Sequence, residues 1–280
     1  MSTDMNPADK PAGIKPRSLM RRVVTAVIYG VAVLGSLALG PLATGVVFGV
    51  MAGFAAAEFY AMERREARLP NELFGVGAAA IMPVAAALWG LPGLSATVTA
   101  LIAASLVWHT VFLKVRTADT AVTVFGAVYT GFLLAYLVLI REFESGLILS
   151  VAVVVSVWLS DMAAYFVGSL LGRHRLAPLI SPKKSWEGFI AGAVASVGTW
   201  ALVPFIPGSG VRLGHALLVG AAIALAAVIG DLAESRMKRE AGVKDSGHSL
   251  PGHGGFLDRL DSLILVCLVA YWVLWWGGVR

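Results

Sequence analysis

The sequence predicts an all-α, polytopic integral membrane protein of about nine spans with a cytoplasmic N-terminus, and three observations carry that prediction. The 280 residues are 58% hydrophobic and only 14% charged, with a mean hydropathy of +0.80, too apolar for a soluble domain. Apolar runs close to the ~20 residues that a spanning helix needs recur along the chain. Nineteen of the 22 basic residues fall in alternate joints between those runs, the bias expected of inner loops.

Residues 1–22 are polar and proline-containing and lack the apolar core of a secretory signal, so they read as a disordered cytoplasmic tail. Five spans follow over 23–145, beginning near Val23, Leu42, Leu73, Leu94 and Thr120. The turns at Gly40-Pro41 and Leu91-Pro92-Gly93 are short enough to make helical hairpins. Four further spans, near Gly146, Phe189, Leu213 and Ser262, form a C-terminal catalytic region, 146–280, with cytoplasmic loops at 172–188 and 231–261. Only Arg141, Arg212 and Arg280 escape the inner segments. That placement accounts for the net charge of +5, so no nucleic-acid partner is expected. Cys267 stands alone in the last apolar run and can build neither a disulfide framework nor a cysteine metal site from one chain. No internal repeat is visible, and the small-residue helix faces serve a homodimer or packing within one chain equally well.

The chemistry concentrates in Ser235 to Asp261, SRMKREAGVKDSGHSLPGHGGFLDRLD, a polar stretch between two apolar runs. Lys238, Arg239, Lys244 and Arg259 offer cations for phosphate. Asp245, Asp258 and Asp261 offer oxygens for a hard cation such as Mg²⁺. Gly254 and Gly255 let backbone N–H groups approach an anion. His253 suits a hydrogen bond to phosphate better than a metal, because no second histidine sits at ligand spacing.

Polar residues inside apolar runs mark function, since an ionised group at a bilayer centre costs about 2.5–3.5 kcal/mol on insertion scales. Asp161 is the clearest case, with Tyr165 one turn later on the same face and Ala164, Gly168 and Gly172 at close-packing spacing. Asp231, Glu234, Ser235 and Lys238 form one stripe where the eighth span emerges. In the preceding inner loop, Lys183 and Lys184 can grip phosphates, Ser185 can cap the next helix, and Glu187 falls in its first turn. Glu58, one turn from the inner boundary of the second span, is expected to snorkel to water and stands outside the site.

From Asp161 onward these stretches resemble the phosphatidate cytidylyltransferases, or CDP-diacylglycerol synthases. The resemblance rests on Ser235, Lys238-Arg239, Lys244-Asp245, Pro251-x-His253-Gly254-Gly255 and Asp258-Arg259-x-Asp261, with Lys183-Lys184-Ser185-x-Glu187-Gly188 and Gly230-Asp231 upstream. His248 and Ser249 are more polar than the pattern leads one to expect. The resemblance implies Mg²⁺-dependent transfer of CMP from CTP to phosphatidate, giving CDP-diacylglycerol and pyrophosphate at the cytoplasmic face of the cell membrane. Asp161, Asp231, Asp258 and Asp261 are then expected to hold one or two divalent cations. The implied catalytic set is Asp231, Lys238, Arg239, Lys244, Asp245, His253, Asp258, Arg259 and Asp261. Lys183, Lys184, Ser185, Glu187, Ser235, Gly254, Gly255 and Tyr165 would bind substrate. Two other classes use similar groups: a CTP-dependent polyprenol kinase, which moves the γ-phosphate, and a secondary transporter.

Overall fold

The computed structural model describes residues 16–66, 68–247, 249 and 254–279, apart from the side chains of 16–19, 21 and 22. The chain is a helical membrane bundle. Among the described residues six helices are long and apolar enough to cross a membrane. The order is α1 (Pro16–Leu39), α2 (Pro41–Glu63), α3 (Glu72–Val111), α4 (Thr117–Ala127), α5 (Leu133–Arg141) and α6 (Gly146–Leu171). There follow β1 (Arg175–Ala177), β2 (Ser181–Ser185), α7 (Trp186–Leu202), α8 (Leu213–Glu240) and α9 (Leu257–Trp276). A π turn, Val128–Phe132, joins α4 to α5, so the two form one rod.

Two boundaries differ from the sequence expectation. The helix α1 reaches back to Pro16, so residues 16–22, expected in the tail, are helical. Proline is well placed there, since the first helical turn has no partner for its missing N–H. The loop 172–188 contains an antiparallel hairpin, with Arg175 opposite Ser185 and Ala177 opposite Ser181.

The 40 residues of α3 would extend about 60 Å at 1.5 Å per residue, twice a bilayer core. Gly90, at φ 60° and ψ −148°, breaks it instead. The second half folds back, as the Phe74 and Trp108 rings show by meeting at 5.8 Å. The hairpin expected at Leu91-Pro92-Gly93 therefore turns at Gly90.

Small residues set the helix spacings that matter for the site. A Cβ on Gly188 would lie 2.7 Å from the Ala164 carbonyl, and one on Gly192 would lie 2.8 Å from Ser160 Oγ, so α6 and α7 run in backbone contact. On the far side of α7, Ser196 Oγ donates to the Gly220 carbonyl of α8 at 2.9 Å. The next pair is also in backbone contact: a Cβ on Gly230 of α8 would stand 2.6 Å from the Asp261 carbonyl of α9. The apolar core runs through the bundle around Phe48, Phe59, Leu134, Ile140, Ile223 and Ile264.

Candidate active site

Gly230 fixes where the acids meet. Because α9 lies against its bare Cα, the next residue, Asp231, is held beside Asp261. Gly230→Ala pushes a methyl into a backbone oxygen that cannot yield, at an expected cost of about 1–3 kcal/mol. A lower unfolding midpoint in detergent and slower turnover are the expected results. Gly214→Ala, in open space on the same helix, leaves both unchanged.

Asp161 of α6 lies between two cavities. The first, about 500 Å³, runs between α1, α6 and α9; its wall is largely apolar (Ala26, Tyr29, Trp158, Leu159, Met162) and it ends on Asp161, Asp258, Arg259 and Asp261. The second, about 610 Å³, lies under the hairpin between α6, α7 and α8. Tyr165, Arg175, Lys183, Lys184 and Asp231 line it together with Asp161. Asp161 forms no hydrogen bond or ion pair among the described residues; the charges of Lys184 and Arg259 reach it from further off. Asp261 is half-buried at the end of the first cavity, accepts among the described residues the N–H of Ser262 at 2.6 Å, and feels the charges of Asp231, Glu234 and Asp161.

The cations are placed by the same helices. Lys184, just before α7, makes an ion pair with Asp231. Ser235 Oγ donates to the other Asp231 oxygen at 3.3 Å, one turn along α8. Lys238 sits between two acids, 2.5 Å from Glu234 and 2.7 Å from Asp258. The stripe of α8 expected from its i, i+3, i+4, i+7 spacing is therefore a wall of ion pairs.

Several residues have another employment than the one expected. Asp258 accepts from Lys238 Nζ at 2.7 Å, from Ser246 N and Oγ at 3.0 Å each, and from Gly255 N at 2.9 Å. Three of these four donors fall on Oδ2 and only Lys238 on Oδ1, so the carboxylate is already anchored by Lys238, Ser246 and Gly255, which spacing along the chain does not reveal. The Gly255 N–H, expected to meet phosphate, is spent on that bond. Gly254, at φ +82°, takes the left-handed conformation that brings it there. Ser185 is buried, and its Oγ caps α7 by accepting from Gly188 N at 3.2 Å. Glu187 accepts from the backbone N–H groups of Arg173 and His174, both at 3.2 Å, and contacts His174 Nδ1 at 2.6 Å. Glu187 thus ties the hairpin to α7, and Ser185 lines the second cavity beside Lys183 and Lys184 while capping the helix.

Arg239 donates to the Val243 carbonyl at 3.0 Å, ending α8. Lys244 and Asp245 are exposed on the following loop. His253 lies outside the described residues. A residue that the sequence reading set aside joins the site: Glu58 of α2 is buried at 7% exposure against the loop that carries Ser246. Its signal was present, since a lone acid among alanines and aromatics must find donors once buried.

The model of the cytidylyltransferase family matches residues 20–276. The chain belongs to this cytidylyltransferase family. It is 34% identical over 275 residues to a phosphatidate cytidylyltransferase of Pseudomonas aeruginosa, covering 93% of this chain and 99% of the relative. A phosphatidate cytidylyltransferase of Mycobacterium bovis is 39% identical over 158 residues, 56% of this chain and 51% of that protein. One of Brucella suis is 43% identical over 147 residues, 52% and 54% respectively. The chain thus spans about half the length of the latter two and nearly all of the first. This member of the family is a polytopic membrane chain, and the acids and cations described above gather where α6, α8 and α9 meet.

Proposed function

We propose that the chain is a phosphatidate cytidylyltransferase, which transfers the CMP moiety of CTP to phosphatidate and releases pyrophosphate. The observation that carries this reading is the meeting of an apolar-walled cavity and a basic cavity at Asp161. An amphiphile with a phosphate head suits the first: acyl chains lie along Trp158, Leu159 and Met162, and the head lies near Arg259. A triphosphate suits the second, where Arg175, Lys183 and Lys184 face the space.

An oxygen of the lipid phosphate forms a bond to the α-phosphorus of CTP. The bond from that phosphorus to the bridging oxygen breaks, and pyrophosphate leaves with the electron pair. The nucleophile is already ionised at neutral pH, so no base is needed. The obstacle is repulsion between two polyanions, which fixed cations and alignment relieve. Lys184 is held by Asp231, and Lys238 by Glu234 and Asp258, so these ammonium groups are oriented before substrate arrives.

Magnesium fits the donor chemistry. No three acidic or histidine side chains among the described residues converge on one point. Yet among the described residues Asp161 has no hydrogen-bond or ion-pair partner and Asp261 accepts one neighbouring N–H, while both feel the charge of Asp231, which is itself paired with Lys184. Uncompensated carboxylates in such a place call for a cation. Asp161, Asp231 and Asp261 would hold it, all through oxygen, the donor type that Mg²⁺ prefers. Bound there, it supplies positive charge to the phosphate oxygens. The charge asymmetry of the loops supports a cytoplasmic site in the cell membrane, with CTP arriving from the cytosol and the lipid entering sideways.

Purified chain in detergent tests the reading. CDP-diacylglycerol and pyrophosphate are expected only when CTP, phosphatidate and Mg²⁺ are all present. Undiminished product with excess EDTA contradicts the metal, and product without phosphatidate contradicts the acceptor.

A further inference from the structure

We propose that Glu58 is a positioning residue for the reaction centre: from the second helix it caps the start of α9 and holds Ser246, and so fixes Asp258 and Asp261. The proposal rests on the cytidylyltransferase reading, because its effect is measured in that turnover.

Glu58 lies at 7% exposure between the buried Ala55, Ala56 and Phe59. Its donors all come from a segment 188 to 199 residues further along the chain: Ser246 Oγ at 2.9 Å, Phe256 N at 3.1 Å and Leu257 N at 3.0 Å. The last two are unpaired N–H groups of a helix start, and α9 has no side-chain cap of its own. A carboxylate brought in from α2 satisfies them and places negative charge at the positive end of the helix dipole. One turn earlier on α2, Phe54 stacks on Phe256 with centroids 5.0 Å apart and planes at 13°. The same carboxylate explains two glycines. A Cβ on Gly247 would come within 2.7 Å of a Glu58 oxygen, and one on Gly255 would strike both Glu58 and Ser246.

The route to the site is short. Ser246 Oγ lies 2.9 Å from Glu58 and 3.0 Å from Asp258, and has one hydrogen to share between two carboxylates. Asp258 follows Leu257 directly and takes Lys238; Asp261 is one turn further and abuts Gly230. A slip in the first turn of α9 therefore moves Asp258 off Lys238 and Asp261 off Asp231. Glu58 lines neither cavity and touches no substrate space, so its influence passes wholly through these groups.

The test uses the full chain in detergent with Glu58→Gln, Ser246→Ala and the pair combined. Glu58→Gln keeps an acceptor oxygen and hence the packing, but loses the charge and one acceptor. It is expected to lower kcat about 10–100-fold, the range for groups that orient a reaction centre, with KM for CTP and phosphatidate little changed. Ser246→Ala is expected to lower kcat as well, and the double variant to be no worse than the poorer single one, because both act on the same link. Near wild-type kcat in Glu58→Gln overturns the proposal, as do additive losses in the pair. A wild-type chain that forms no CDP-diacylglycerol overturns the reading beneath it, whereas an active wild type with an unimpaired Glu58→Gln variant overturns the positioning role alone.

Discussion

Lys238→Met is expected to lower stability and turnover together. The Lys238 side chain is 12% exposed and lies between Glu234 at 0% and Asp258 at 9%. Methionine preserves the length of the stem but leaves two enclosed carboxylates facing each other without a cation. Breaking a buried ion pair in this way costs about 3–5 kcal/mol, which appears as a lower unfolding midpoint in detergent. On the proposed function Lys238 acts through Asp258, which it holds at the apolar-walled cavity, and loss of that cation lowers turnover by about 10²–10³-fold. Adding Glu234→Gln to the variant restores stability without restoring turnover, since it removes a repelling charge and supplies no cation. A Lys238→Met protein that melts with the wild type and turns over normally contradicts the ion-pair wall described for α8.

Asp161→Asn separates stability from activity in the opposite sense. Asp161 has no cation partner among the described residues and shares its surroundings with Asp231 and Asp261. Neutralising it removes repulsion, so the midpoint without metal stays level or rises. If a divalent cation depends on its oxygen, several kcal/mol of transition-state stabilisation are forfeited, about 10²–10³-fold in turnover. Thermal unfolding reports the ion directly: the wild type gains stability as Mg²⁺ is added, by mass action on the folded state. The variant gains less. Near wild-type turnover, or an equal response to Mg²⁺ in both proteins, contradicts the role given to Asp161.

Much of this architecture was legible in the sequence because it rests on run length and local periodicity. Apolar runs placed the spans, Gly146 and Leu213 to the residue, and the spacing of Asp231, Glu234, Ser235 and Lys238 placed them on one face. What escaped depends on partners distant in sequence. Asp258 looks like a free carboxylate until the loop brings Ser246 and Gly255 over it. Glu58 looks like a stray acid until α9 presents its first N–H groups. The hairpin of Arg175–Ala177 and Ser181–Ser185 has strands too short to leave a period, and Glu187 and His174 pin it from outside. The π turn at Val128–Phe132 left no mark in composition.

The central claim, transfer of the CMP moiety and not of a terminal phosphate, is tested most directly by following label from CTP into lipid. The purified chain in detergent, supplied with phosphatidate and Mg²⁺, should place label from the α-phosphate of CTP in the lipid product and release label from the γ-position as pyrophosphate. Lipid labelled only from the γ-position, with CDP as the co-product, would contradict the account and favour a CTP-dependent lipid kinase.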